Sequence, residues 1–251
     1  MIRQGKVEQL DFIVAGAQKC GTTALHYQLE KHPQIALPDK EELHFFDDEE
    51  RFARGVNYKD LHDSFRRPSR AIVAGESTPA YLYWQPGVER IWNYNREIKL
   101  ILLLRNPVDR AFSHWNMQRE RGYDTLDFLD AIKAEEQRQK EAAPLQSRRF
   151  SYVGRGLYGA QLEQVFRYFP REQVKVVRSE DLRSDFAGAI NSIFAFVGAE
   201  SLRNIRNKER NPIRYERDIT TEERNAMLQL FEDDITKLEK LLGWDCSDWK
   251  R

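Results

Sequence analysis

The residues most able to do chemistry are concentrated in Gln18-Lys19-Cys20-Gly21-Thr22-Thr23. An apolar run, Phe12 to Ala15, leads into them through Gly16, and the threonine pair opens a helical pattern ending near Lys31-His32-Pro33. A strand, a glycine-bounded loop and a helix N-terminus turn backbone N–H groups and a positive dipole end toward one point, a cradle for an anion. A second cationic position, Arg105, closes the most apolar run of the chain, Lys99 to Leu104. It precedes Asn106-Pro107, where an asparagine cap and a first-turn proline start another helix. A cation at that strand end suits another phosphate better than a metal ion.

A third stretch, Glu41-Glu42-Leu43-His44-Phe45-Phe46-Asp47, mixes carboxylates, an imidazole and two adjacent rings. It has neither helical nor strand periodicity, so it reads as a packed loop with Phe45 and Phe46 in the core. On residue type alone, Glu42 is either a solvated charge or a proton acceptor, and His44 either a packing residue or part of a site.

Gly16 and Gly21 have the glycine spacing of the P-loop, Gly-x-x-x-x-Gly-Lys-Ser/Thr, but Thr22 stands where the lysine belongs. Nucleotide hydrolases of that type also need an acidic residue after a strand to help hold magnesium. Here that position is Arg105. A nucleotide-dependent kinase of the P-loop type is the alternative reading, while a turn without a ligand leaves the Lys19-x-Gly21-Thr22-Thr23 cluster unexplained.

Positioning these residues falls to an alternation of strands and helices. Strand-length apolar runs occur at Phe12 to Ala15, Gln34 to Leu37, Ala71 to Gly75, Lys99 to Leu104 and Val174 to Val177. Helical patterns follow Thr22 and Pro107, run from a Thr125 cap to about Lys140, and cover Leu157 to Phe169 and Phe186 to Val197. A last helix has Thr220 and Glu223 as its capping box and Gly243 as its stop. Residues 49–70 are polar and helical in part, and Ser147 to Gly156, with Arg148, Arg149 and Arg155, reads as a mobile basic loop. Tyr158 and Trp115 are helix aromatics, either core or lining of a cleft. The alternation predicts an α/β fold: one domain over residues 1–251, a doubly wound, mostly parallel central sheet of about five strands with helices on both faces. Ligands of such sheets sit beyond the carboxyl ends of the strands, so the loops after Gly16, Leu37, Gly75 and Leu104 should share one face.

Lys+Arg and Asp+Glu are both 40, so no global positive field recommends nucleic acid as a partner, and an anion site must be built locally. The two cysteines, Cys20 and Cys246, match no zinc or redox spacing and are expected as free thiols. Neither a signal peptide nor a membrane span is expected from the apolar patterning, and the expectation is a cytoplasmic enzyme.

With these motifs in view, the sequence resembles the PAPS-dependent sulfotransferases, whose donor is 3′-phosphoadenosine 5′-phosphosulfate. Gln18 to Thr23 looks like the family's P-loop-like 5′-phosphosulfate loop. The resemblance implies that Lys19 meets the bridging and sulfuryl oxygens, while Cys20, Gly21, Thr22 and Thr23 hold the 5′-phosphate. Arg105-Asn106-Pro107-Val108-Asp109-Arg110-Ala111-Phe112-Ser113 looks like the second signature, with Arg105 and Ser113 on the 3′-phosphate. Within the family the likeness is to the heparan-sulfate glucosaminyl O- and N-sulfotransferase branch. Glu42-Leu43-His44-Phe45-Phe46-Asp47 is similar to its catalytic segment, which implies Glu42 as general base with His44 and Asp47 beside it; alignment on Lys40 would select Glu41. Lys208-Glu209-Arg210-Asn211-Pro212 resembles a Lys-Gly-Arg donor-binding segment, with Glu209 in place of glycine. Glu76-Ser77-Thr78-Pro79-Ala80-Tyr81 resembles Glu-Lys-Thr-Pro-Ala-Tyr, with Ser77 in place of a catalytic-site lysine.

The implied chemistry is in-line sulfuryl transfer to a hydroxyl or amine, with Glu42 removing the acceptor proton and Lys19 neutralising charge on the leaving group. No metal is expected. The acceptor is a carbohydrate or a small molecule, and the sequence does not choose between them.

Overall fold

A computed structural model describes residues 2–3, 6–65, 70–206, 215 and 217–250. The strands are β1 (Ile2–Arg3), β2 (Lys6–Val7), β3 (Phe12–Gly16), β4 (Ile35–Ala36), β5 (Val73–Ser77), β6 (Lys99–Leu104) and β7 (Val174–Arg178). The helices are α1 (Thr22–Glu30), α2 (Glu49–Ala53), α3 (Lys59–His62), α4 (Gln85–Tyr94), α5 (Pro107–Glu120), α6 (Phe128–Ala142), α7 (Tyr158–Tyr168), α8 (Ser179–Ser184), α9 (Phe186–Val197) and α10 (Thr221–Leu242). By packing, the chain divides into two compact units, Met1–Leu103 with Arg167–Arg210, and Leu104–Phe166 with Asn211–Arg251.

The first unit is built on a five-stranded sheet in the order β4-β5-β3-β6-β7. β3 pairs in parallel with β5 and with β6, and β4 in parallel with β5. This is the α/β, largely parallel sheet that the alternation predicts. β3 is buried throughout and β6 from Leu100 onward, as continuous apolar strands in a sheet covered on both faces must be. β5 starts at Val73 and ends at Ser77, two residues later than the apolar run Ala71 to Gly75 suggests. Pairing explains the shift: Gly75, Glu76 and Ser77 lie opposite Phe12, Ile13 and Val14, so two polar residues are carried into the sheet. No helix was expected over Gln85–Tyr94, which folds as α4 with a proline in its first turn.

The second unit carries α5, α6 and α10. Asn106 caps α5, its side chain accepting from Val108 N at 2.9 Å and from Asp109 N at 3.4 Å, as predicted. The capping box of α10 also forms, with Glu223 N donating to Thr220 Oγ1 and Thr220 N to Glu223 Oε2. α6 begins at Phe128, not at Thr125, because Asp124 Oδ1 accepts from Leu126 N at 3.1 Å and holds a turn there.

The basic segment at 147–156 is not a mobile loop. Glu135 of α6 accepts from Val153 N at 2.8 Å and Gly154 N at 2.9 Å, and Tyr152 donates to Asp124 at 2.6 Å. Arg155, only 4% exposed, donates to Ser151 Oγ at 2.9 Å and to the Arg148 carbonyl at 3.1 Å. Acidic side chains unrelated by local sequence thus organise the segment. Trp115 and Tyr158 are buried core, not cleft lining. Among the described residues, no helix is long and apolar enough to cross a membrane.

Candidate active site

The anion loop begins where β3 ends. A Cβ on Gly16 would lie 2.6 Å from the Leu82 side chain, so only glycine lets the segment after β5 cross here. Ala17 N donates to the Leu103 carbonyl at 2.8 Å, and Ser179 Oγ to the Cys20 carbonyl at 2.6 Å, which ties the loop to its neighbours on both sides. Cys20 is buried, its Sγ 3.8 Å from the Gln18 carbonyl. Gly21, at φ 95°, is the N-cap of α1 and offers no side chain to its N–H groups. The helix therefore presents uncapped donors and its positive end at Thr22 and Thr23, which fits a phosphate. Lys19 itself is left-handed, at φ 71°.

The carboxylate–histidine loop follows β4 and is fastened to the end of β5. Glu42 N donates to the Ser77 carbonyl at 3.1 Å, and Phe45 N to the Tyr81 hydroxyl at 2.9 Å. Phe45 and Phe46 are buried, with Phe46 edge-on to Tyr81, so the loop is packed as its rings imply. His44 stands between two carboxylates: Nδ1 lies 2.9 Å from Asp47 Oδ2 and Nε2 lies 3.3 Å from Glu42 Oε2. Asp47 is fully buried, whereas Glu42 and His44 are partly open. Hydrogen bonding to Asp47 first, and then to Glu42, lifts the imidazole to about 9. At neutral pH it is therefore a cation with each N–H on a carboxylate. Glu41 is exposed.

Among the described residues, those other than glycine with positive φ are Lys19 at 71°, Glu42 at 56° and His44 at 53°. Each such residue costs on the order of 1–3 kcal/mol and persists only where its surroundings dictate it, which is typical of functional sites. Parallel β3, β4 and β5 send the loops bearing these residues off the same edge of the sheet.

Arg105 and Ser113 belong to the second unit. Arg105 Nη2 is 4.0 Å from Asp109 Oδ2, while Asp109 Oδ1 accepts from Arg224 at 2.9 Å. Arg105 Nε is buried without a hydrogen-bond partner among the described residues, a donor still to be satisfied. Ser113 is buried on α5. Lys208, Glu209, Arg210 and Asn211 lie outside the described residues.

One titratable residue beside the loop, Glu76, is named in the sequence only as part of the Glu76-to-Tyr81 motif, with no role of its own. Glu76 of β5 is fully buried, and burial above all lifts its carboxyl to about 8. The available signal was an acid inside an apolar strand, directly before the Ser77-Thr78-Pro79 turn.

Comparison with known proteins gives a consistent picture. Residues 9–221 match the model of the sulfotransferase domain family. Among curated relatives, heparan sulfate glucosamine 3-O-sulfotransferase 5 of Mus musculus is 28% identical over 181 residues, covering 68% of this chain and 48% of that protein. Bifunctional heparan sulfate N-deacetylase/N-sulfotransferase 2 of Homo sapiens is 30% identical over 203 residues, covering 77% of this chain and 22% of that protein. The chain thus spans about half the length of the 3-O-sulfotransferase it matches. Among solved structures, a sulfotransferase from Alicyclobacillus acidocaldarius superposes with a TM-score of 0.82 at 30% identity, over 98% of this chain and 100% of that one. Mouse sulfotransferase SULT7A1, complexed with PAP, shares the fold at a TM-score of 0.51 and 14% identity, over 93% of this chain and 68% of that one.

Proposed function

The chain belongs to the sulfotransferase domain family, and from that premise we propose that it moves a sulfuryl group from 3′-phosphoadenosine 5′-phosphosulfate to a hydroxyl or amine of a carbohydrate or small molecule. The observation that carries the reading is the Glu42–His44–Asp47 relay, two of whose members are held in left-handed backbone. The donor supplies the sulfuryl group. Lys19, Cys20, Gly21, Thr22 and Thr23 would hold its 5′ end at the uncapped start of α1; within the second unit, Arg105 and Ser113 are the residues that the family resemblance assigns to a phosphate.

Glu42 is the general base: one oxygen is held by His44 Nε2, and the other is available to take the acceptor's proton. Asp47, buried on the far side of the ring, fixes the imidazole and keeps it charged. The His44 ring in turn orients the Glu42 carboxylate through the 3.3 Å contact at Oε2. Lys19 supplies positive charge to the departing bisphosphate.

A labelled-donor screen against glycans, glycolipids and small alcohols or amines tests the proposal and finds the acceptor. Label should move to an acceptor with the wild-type protein, and Glu42→Gln should reduce transfer by about 10²–10⁴-fold, the usual share of general-base catalysis. Near-wild-type turnover by the variant removes Glu42 from the role.

A further inference from the structure

Glu76 has no part in the mechanism above, yet three consecutive main-chain groups of the catalytic loop depend on it. It sits on β5 opposite Ile13 of β3, fully buried. Its Oε2 accepts from Thr78 Oγ1 at 2.8 Å, and Thr78 Oγ1 in turn accepts from His44 N at 3.4 Å. The Tyr81 hydroxyl joins Thr78 and Glu76 in the same cluster. That hydroxyl accepts from Phe45 N at 2.9 Å and from Phe46 N at 3.4 Å. The N–H groups of His44, Phe45 and Phe46 therefore end on two side chains, Thr78 bonded directly to the Glu76 carboxyl and Tyr81 interacting with it.

We propose that Glu76 is a positioning residue which, through Thr78 and Tyr81, fixes the main chain of the loop carrying Glu42, His44 and Asp47. The importance of that loop rests on the functional reading above, but the device belongs to the free protein. It answers a specific need: Glu42 and His44 hold left-handed φ values of 56° and 53°, which the loop would relax without a support on its inner side.

The form of Glu76 that does this at neutral pH is the neutral acid. Burial is the main cause of its rise to about 8; among its neighbours Asp47 pushes it further up, while Thr78, Tyr81 and His44 pull it down. Its Oε1 is buried without a hydrogen-bond partner among the described residues, which is far less costly for a carboxylic acid than for a carboxylate. Ionisation above about 8 would set a second buried negative charge near Asp47 and load the loop with strain.

The His44 ring reports on this support without any substrate. Its pKa, measured by NMR on the full chain, depends on its seat between Asp47 and Glu42 and should be about 9 in the wild type. Glu76→Gln, whose amide oxygen still accepts from Thr78, should keep that value. Glu76→Ala and Thr78→Val should lower it by about one unit or more, toward the ordinary 6.5. A purely structural Glu76 would change the melting temperature and leave His44 where it was. An unmoved His44 in a cooperatively folded Glu76→Ala or Thr78→Val, or a glutamine variant that behaves like alanine, overturns the proposal. Should Glu76→Ala fail to fold, Thr78→Val alone decides. Titration of the wild type with adenosine 3′,5′-bisphosphate separates the two readings: no binding sinks the sulfotransferase reading, and the His44 result stands by itself.

Discussion

His44 shows how two neighbours can set one residue's charge. Free imidazole is mostly neutral at pH 7, but here a buried aspartate at 2.9 Å and a glutamate at 3.3 Å hold it charged up to about 9. If the His44 cation holds Glu42 in place through the Nε2–Oε2 contact, transfer should fall at alkaline pH as His44 loses its proton. Asp47 is the first cause of the raised value, so Asp47→Asn should move that alkaline limb to lower pH, toward the ordinary histidine range. A pH–rate profile of labelled transfer checks this, and a limb that stays put in the variant contradicts it. Most of these residues could be picked out in the sequence because unusual types stood together. Glu76 could not, since its role depends on Thr78, Tyr81 and the His44 main chain, which only the fold brings together.

At the scale of elements, helix starts matter most. α1 begins at Gly21 without a side-chain cap, as the proposed donor site requires, whereas α5 begins with Val108 N and Asp109 N bonded to Asn106. Asn106→Ala should cost about 1 kcal/mol of stability, the usual worth of a cap. Asn106→Asp, which keeps the accepting oxygen but loses the 3.2 Å bond from Nδ2 to the Trp249 carbonyl, should cost less. Urea unfolding of both variants tests the ranking, and equal losses would assign the effect to the Trp249 bond. Caps and buried strands were legible because their signals are local: Asn106-Pro107, the Thr220–Glu223 box, the run Lys99 to Leu104. The ends of β5, the start of α6 and the order at 147–156 were not legible. They are set by pairing with Phe12 to Val14, by the Asp124 turn and by Glu135.

For the molecule as a whole, Glu76 and His44, raised to about 8 and about 9, act in the same direction with pH. Glu76 keeps its proton in the folded chain up to about 8 but loses it near 4.5 when unfolded, so the fold is penalised progressively between those values. The limiting slope is about 1.4 kcal/mol per pH unit for one proton. His44 contributes stability below 6.5 that disappears as pH rises through about 9, a smaller effect because its ring is partly exposed. Glu223, held down by Arg217, works the other way and loses its contribution only in acid. Melting temperature should therefore fall as pH rises from about 5 to 9, and Glu76→Gln should flatten the fall. Parallel curves for the two proteins would contradict the assignment of the slope to Glu76.

The central claim concerns the ligand of the loop at Lys19 to Thr23, and one calorimetric experiment addresses it: titration of the chain with adenosine 3′,5′-bisphosphate and, separately, with Mg-ATP. A sulfotransferase whose donor is 3′-phosphoadenosine 5′-phosphosulfate should bind the bisphosphate without magnesium and in preference to Mg-ATP. Binding of Mg-ATP alone would contradict the account and point to a kinase.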